Sequence, residues 1–497
     1  MRILYLDVDS LRPDHTTPYG YTRAITPNLE RVARDAAVFT RCYCSDSPCL
    51  PSRAALTTMR FGIRNGVIGH HLHDGKLHDG TGGSHEMSPP LFGRHLDRNG
   101  TTTASISCFA DRHRAFFFLG NFRESIRPSL STGNDEDAGT VNRAAFRWLR
   151  EHAQEENWFL HLNYWDPHTD YVMPPEWAAR AAALGPPPGW PDEAAIAQHQ
   201  AIYGPHSATD LHANRGGRTR VPATMPDQIR QRADFEKLIN GYDGAIHYWD
   251  YHLGQLLDEL ARLGILDETA IIVSADHGES FGENGSYAEH GLANEPTHRI
   301  PLIVRWPGLT DRLPAERRRC DALLYHLDLG PSLCELLGLP MPAGWDGTSW
   351  APFLRGEPIP HRSALVLGHG AHTYQRAVRT AHHLYIRTLH PGCFRAEPEQ
   401  LFNVSEDPFL TRDLLEAEPE RVAEMRETLA HWIKSRTGER SDPMQACLQQ
   451  GPTLYSQPAA YMDWLRSVGR SRDADDLAAR LQRCGIVLTS GKSPATA

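Results

Sequence analysis

The sequence predicts an α/β protein: a doubly wound, mostly parallel sheet, followed by a smaller C-terminal subdomain around an antiparallel sheet. Three observations carry this. Short apolar runs at residues 3–6 and 269–274 lack polar alternation, the pattern of strands buried on both faces. Helical periodicity intervenes between such runs. Over residues 234–263, Leu238, Tyr242, Ile246, Leu253, Leu256, Leu257 and Leu260 recur at helical spacing, and Gly264 ends the run. From about Ser363 the character changes to short strands at 364–367, 374–379 and 383–387. A chain of 497 residues buries a large core, and its length permits several domains. The expected division is a catalytic domain at 1–362, an antiparallel subdomain at 363–437 and a helical extension at 438–497.

Taken in order, residues 2–9 form the first strand and end in Asp7-Val8-Asp9, with Ser10 next. Carboxylates at the carboxyl end of such a strand lie where open α/β sheets bind ligands. Hard cations take carboxylate oxygens there. Asp7 and Asp9 share one strand face by the period of two, while Ser10 faces away or begins the loop. A helix is expected from Thr26 to about residue 35 and a strand over 38–44. A second helix over 91–99 stops at Gly100, a normal C-cap position. A β-branched strand over 101–108, a helix over 142–155 and a strand over 159–164 follow. Residues 172–232 are rich in proline, glycine and alanine, including the stretches 174–177, 185–191 and 214–218. Such a stretch reads as a lid or binding loop, or as partly disordered, and is assigned to substrate selection or subunit contacts. The strand at 269–274 runs into Ala275-Asp276-His277-Gly278-Glu279, a second acidic strand end. Helices are expected at 419–435 and near 474–483, the latter in an extension that is a candidate surface for homo-oligomerisation.

Composition excludes more than it assigns. A net charge of −10 argues against a nucleic-acid partner, which calls for a basic face. No apolar run approaches the roughly 20 residues of a membrane span. The nine cysteines are odd in number and irregularly spaced, without a CxxC pair, and read as reduced thiols. Residues 1–7 enter the first strand without a signal-like leader, so a cytoplasmic location is expected. Lysine is scarce, with only Lys76, Lys237, Lys434 and Lys492, so arginine supplies nearly all the positive charge.

The chemistry concentrates in Cys49-Leu50-Pro51-Ser52-Arg53. Pro51 suits the start of a helix, and Ala54, Ala55 and Leu56 continue it. Cys49 then sits at a helix N-terminus, where the dipole and open N–H groups favour anions. Arg53 lies one turn on and can reach the same spot. The local physics suggests a nucleophile in an anion pocket.

This Cys-x-Pro-Ser-Arg pattern resembles the signature of type I sulfatases, of the alkaline phosphatase superfamily. The resemblance implies that Cys49 is oxidised to formylglycine by a maturation enzyme, and that the hydrated aldehyde attacks an organic sulfate. It extends through residues 6–15, where the family's Asp-Asp pair falls on Asp9 and Ser10. Asp9 thus carries over as a metal ligand, Ser10 departs from the pattern, and Asp7 or water stands in. It continues through Asp166-Pro167-His168-Thr169, whose histidine reaches the sulfate in relatives, and through Asp276-His277-Gly278-Glu279, whose first two residues ligate the metal. His290, in Ala288-Glu289-His290-Gly291, stands about where relatives contact the leaving group. The family's Gly-Lys-Trp-His element is absent. Arg112 and His113 stand near its place, either as replacements or as surface charge. A planar arginine fork at Arg53 suits sulfate, and His168 or His290 would protonate the departing oxygen. The oxygen-rich ligand set suits Ca²⁺ first, with Mg²⁺ as an alternative, and the nitrogen of His277 admits Mn²⁺. The resemblance covers about residues 2–435 and implies a small-molecule or carbohydrate sulfate ester as substrate. A phosphonate monoester or phosphodiester hydrolase on the same scaffold is the alternative, and a non-catalytic anion- or metal-binding homologue is a third reading.

Overall fold

The computed structural model describes residues 1–70, 73–77, 90–130, 136–171, 173–212, 221–453 and 457–487. Its strands in chain order begin with β1 (Arg2–Val8), β2 (Ala37–Tyr43), β3 (Asp46–Ser47), β4 (Thr102–Ile106) and β5 (Glu124–Ile126). Then come β6 (Trp158–Tyr164), β7 (Thr269–Ser274), β8 (Ser280–Phe281), β9 (Tyr287–Glu289) and β10 (Arg299–Arg305). The last are β11 (Arg319–Cys320), β12 (Leu324–Tyr325), β13 (Ala364–His369), β14 (Tyr374–Thr380), β15 (His383–His390) and β16 (Glu399–Asn403).

The large sheet runs β11-β2-β10-β7-β1-β6-β4-β5, with β12 beside β2. β1 lies at its centre, parallel to both β6 and β7. All but the first residue of β1 are buried, as its uninterrupted apolar run requires. β10 alone runs antiparallel to its neighbours β2 and β7. The β1–β7 pairing is the step that matters for function. It sets Asp7 opposite Ser274, so the acidic residues that follow each strand emerge side by side at one sheet edge.

The second sheet runs β16-β15-β14-β13 antiparallel, and β3 adds to β13 in parallel. The residues just before Cys49 are therefore a strand of the C-terminal sheet.

Helices fill the connections. Those that bear on the site are α1 (Cys49–Thr58), α2 (Phe109–His113), α3 (Ala138–His152), α4 (Glu176–Ala183), α5 (Glu193–His199) and α6 (Arg232–Arg262). The C-terminal ones are α7 (Pro419–Thr437), α8 (Pro458–Ser467) and α9 (Ser471–Arg483). α3 starts four residues before the expected 142, because the Asp137 side chain accepts from the Thr140 amide and caps the helix there. α6 opens with a capping box between Gln231 and Asp234.

The expectation of an irregular segment at 172–232 is corrected in part. It holds two helices, α4 and α5, the second capped by Asp192 accepting from Ala195. Its alanine content, read as part of a loop, is helix-forming. Residue 172 and residues 213–220, which include the quoted 214–218 stretch, lie outside the described residues, as do 454–456 and 488–497 of the extension. Within the extension, α8 was not expected and α9 was. Their apolar faces (Tyr461, Leu465, Leu477, Leu481) pack with Tyr203 and Cys393 of the main body, so they are covered within the chain. No disulfide joins any of the nine cysteines, and among the described residues no helix is long and apolar enough to cross a membrane.

Candidate active site

Cys49 is the first residue of α1, and Arg53 follows one turn later on the same helix. Both side chains are buried, at 2% and 1% exposure. Arg53 lies across the two acidic strand ends. Its Nε donates to Asp7 Oδ2 at 2.7 Å, and its Nη1 donates to Asp9 Oδ2 at 3.0 Å and to Asp276 Oδ2 at 2.7 Å. Only Nη2 lacks a hydrogen-bond partner. The fork expected to suit sulfate is thus mostly claimed by three buried carboxylates, since a buried charge must be paired.

Four potential ligand atoms, one each from Asp9, Cys49, Asp276 and His277, lie within 4.8 Å of one another. Asp7 is not among them. It stands one layer behind, on Arg53 and 3.3 Å from His161 Nε2, which corrects its expected place as a substitute ligand. Ser10 supports the group from the side. Its hydroxyl donates to Asp9 Oδ1 at 3.1 Å and its amide to Asp276 Oδ1 at 3.3 Å. Its left-handed backbone (φ 59°) turns the chain directly after Asp9. His277 donates Nδ1–H to the Gly278 carbonyl at 2.8 Å, which leaves the Nε2 lone pair 3.4 Å from Asp276 Oδ2 and 3.1 Å from Cys49 Sγ.

The charges do not balance here. Three carboxylates face one guanidinium, and Asp7 Oδ1 is buried without a hydrogen bond. Burial pushes the Asp276 carboxyl well above its usual range despite Arg53, and Asp9 and Asp7 add to the rise. Burial also opposes ionisation of Asp9, but Arg53, His168 and His277 outweigh it and hold Asp9 low. Burial, then His290, keeps His277 neutral, as a ligand must be. Excess buried negative charge beside a neutral imidazole nitrogen is a donor set that fits a divalent cation.

A second group, sharing Cys49, brings one atom each of His168 and His290 within the same 4.8 Å. The two histidines differ in charge. Burial first, with His290 also contributing, lowers His168 to about 4. Burial would lower His290 too, but Glu289 and Glu279 outweigh it and raise it to about 9. One is thus neutral and the other a proton carrier at neutral pH. His168 stacks on Trp165 at 3.8 Å between ring centres.

Arg112 packs its guanidinium on the same Trp165 ring, 3.6 Å from its centre, and pairs with Glu136 through Nη2. Its Nε and Nη1 make no hydrogen bond, and it lies close enough to Asp9 and Cys49 to interact with their charges. His113 is different. Burial, then Arg112, lowers it to about 3, so it adds no positive charge, and it packs on Phe109 and His70. Burial, then Asp9 and Asp276, pushes the Cys49 thiol up, so an unmodified thiolate is disfavoured.

Sequence reasoning missed Trp165, Glu279, Glu289, His206 and His372. Glu289 and Glu279 stand inside quoted motifs, and the His369–His372 spacing in the C-terminal subdomain was a visible signal that went unused.

The sulfatase family model matches residues 2–339. A steryl-sulfatase of Rattus norvegicus is 25% identical over 433 residues, 72% of this chain and 71% of that protein. A structure solved in complex with its substrate D-glucosamine-2-N,6-O-disulfate shares the fold at a TM-score of 0.68 and 16% identity, over 89% of this chain and 99% of that one. The phosphonate monoester hydrolase of Agrobacterium radiobacter shares it at 0.66 and 18% identity, over 88% and 96%. With the family model matched over residues 2–339 and the acidic strand ends converged on Cys49, the chain belongs to the sulfatase family of the alkaline phosphatase superfamily and is a hydrolase of that family.

Proposed function

We propose that this enzyme hydrolyses an organic sulfate monoester with a nucleophile made by oxidising Cys49 to formylglycine. The observation that carries the reading is the double convergence on Cys49. Asp9, Asp276 and His277 gather on one side of it, and His168 and His290 on the other. We read the first set as the cation side and the second, with charged His290 and the unbonded Arg112 donors, as the anion side. Asp9, Asp276 and His277 Nε2 are the residues that would hold a divalent metal, Ca²⁺ first by donor type. Such an ion would lower the pKa of an attacking hydroxyl and screen the non-bridging oxygens. The modified residue 49 would supply an oxygen nucleophile whose second hydroxyl permits release of sulfate.

The chain's own residues do the rest. Arg53 holds the three carboxylates in register and keeps Nη2 without a protein partner. Arg112 brings the cationic donor that the missing lysine would have given. His168, neutral and clamped on Trp165, orients a sulfate oxygen. His290 carries the proton that the departing alcohol oxygen needs. The substrate is a small-molecule or carbohydrate sulfate ester, a formylglycine-generating enzyme is the maturation partner, and the compartment we favour is the cytoplasm.

The test couples chemistry to mass. Trypsin should release residues 42–53 as one peptide, in which the aldehyde is expected at Cys49 and not at Cys42 or Cys44. Hydrolysis of an aryl sulfate should scale with the aldehyde fraction across preparations and vanish in Cys49→Ala. Full activity with an unmodified thiol would overturn the mechanism. The same preparations assayed on phenyl phosphonates and phosphate diesters decide the alternative, since preferred turnover of either would replace the sulfate reading.

A further inference from the structure

Glu289 ends β9 and is buried in a cluster of imidazoles drawn from three parts of the chain. Its Oε1 accepts the His290 amide at 2.9 Å and lies 3.2 Å from His290 Nε2. The same oxygen lies 3.5 Å from Nε2 of His372, in the turn between β13 and β14. Its Oε2 lies 3.1 Å from Nε2 of His206, in the segment that precedes α6. The contacts continue past His372. Its Nδ1 is 3.3 Å from His369 Nε2, His369 Nδ1 is 2.8 Å from Ser47 Oγ, and that hydroxyl is 3.0 Å from His298 Nε2. Ser47 is two residues before Cys49, so the path that leaves the site at His290 returns to the strand that feeds the nucleophile.

We propose that Glu289 is a positioning residue that fixes His290 by Nε2 and reserves Nδ1 for the leaving-group oxygen. Among the described residues His290 Nδ1 makes no short hydrogen bond; the Glu279 carboxylate faces it at 3.7 Å and helps to hold the ring charged. A carboxylate on one imidazole nitrogen orients the ring and stabilises its charged form, so that the other nitrogen does the proton transfer. In the step, a hydroxyl oxygen of the modified residue 49, its proton lost, bonds to sulfur as the sulfur–oxygen bond to the alcohol breaks, and the electron pair of the broken bond goes to the alcohol oxygen. The proton on Nδ1 passes to the oxygen, and His290 is left neutral with its remaining proton on Nε2 against Glu289. His206 and His372 make this carboxylate a three-way junction, tying the position of His290 to the segment before α6 and to the C-terminal sheet.

The proposal rests on the reading of His290 as the leaving-group donor, so both residues are tested together. kcat is measured on 4-nitrophenyl sulfate, whose leaving group needs little protonation, and on an unactivated alkyl sulfate, with each preparation normalised to its modified fraction of residue 49. Glu289→Gln and His290→Gln should each lose about 100-fold on the alkyl ester, in the range of general acid catalysis, and only a few-fold on the nitrophenyl ester. If His290→Gln is selective in this way and Glu289→Gln falls equally on both esters, or on neither, the positioning role is wrong and the donor reading stands. If His290→Gln is itself unselective, the donor reading fails and takes this proposal with it. Should Glu289→Gln not fold, Glu289→Asp keeps the charge and withdraws it by one methylene. A selective loss in that variant supports the proposal, and an unselective one or none overturns it.

Discussion

Asp276 shows what one buried residue does here. It shares Arg53 with Asp9 and Asp7, and its own carboxyl is the one most strained by the surplus of negative charge. Replacing it should relieve that repulsion while removing one of the proposed metal ligands. We therefore expect Asp276→Ala to fold, since Arg53 keeps two partners. Its calcium affinity should fall by more than the roughly 10- to 100-fold typical of losing a mere supporting partner, with loss of turnover. Titration calorimetry reads this directly, and undiminished calcium binding would remove Asp276 from the ligand set. The pair Arg112 and His113 separates in the same way. Arg112 has free donors and a fixed platform on Trp165, whereas His113 is buried and neutral. Arg112→Ala should cost about 100-fold in kcat, as loss of an oxyanion donor does, and His113→Ala far less. If both variants turn over normally, neither replaces the family lysine.

At the scale of elements, the site depends on how α6 meets the loop after β1. The Tyr242 hydroxyl donates to the Ser10 carbonyl at 2.7 Å and accepts the Arg12 amide at 2.9 Å. Those two bonds hold the left-handed turn that follows Asp9. Tyr242→Phe leaves both backbone groups buried and unpaired, a cost of about 1–3 kcal/mol. The urea midpoint should drop accordingly, and calcium affinity should weaken with it because Asp9 is carried on that turn. A variant that loses stability but binds calcium unchanged would show that the turn does not set the ligand geometry. The helix N-termini tell a related story. α3 and α5 begin where Asp137 and Asp192 cap them, not where the apolar periodicity becomes clear. That is why residue 142 was a late estimate and why α5 passed as loop.

At the scale of the whole molecule, pH acts through buried carboxyls outside the proposed ligand set. Burial first, and Asp137 second, raise Asp166 to about 7, while its Oδ2 accepts the Ala138 amide at the start of α3. A raised carboxyl favours the folded state fully only below the unfolded value near 4, and that contribution is lost as pH rises through about 7. At about 1.4 kcal/mol per unit, the loss is on the order of a few kcal/mol. Asp46 and Asp250, each raised to about 6 by burial, act in the same direction. Asp166→Asn should therefore gain stability over the parent protein at pH 8, and the gap should close towards pH 4. Melting curves across that range check it, and a difference that does not vary with pH would refute the assignment.

The sequence by itself determined what local periodicity and end positions encode. The buried run before Asp7 and Asp9 and the one before Asp276 had to be strands. Cys49 had to open a helix with Arg53 one turn behind, and Gly264 had to stop α6. Each of these follows from contacts within a few residues, and strand ends in an open α/β sheet point to one edge whatever the intervening chain does. Tertiary structure decided everything that required knowing which loops meet. Arg53 reaches Asp276 across 223 residues and Ser47 reaches His369 across 322. No periodicity carries that information. The turn of Arg53 onto carboxylates, the neutrality of His113, the Trp165 platform and the Glu289 junction all depend on burial and on charges brought together by the pairing of β1 with β7 and of β3 with β13. Burial sets the protonation states, and burial is a property of the packed chain, which is why the acidic strand ends could be read from the sequence while their charges and supports could not.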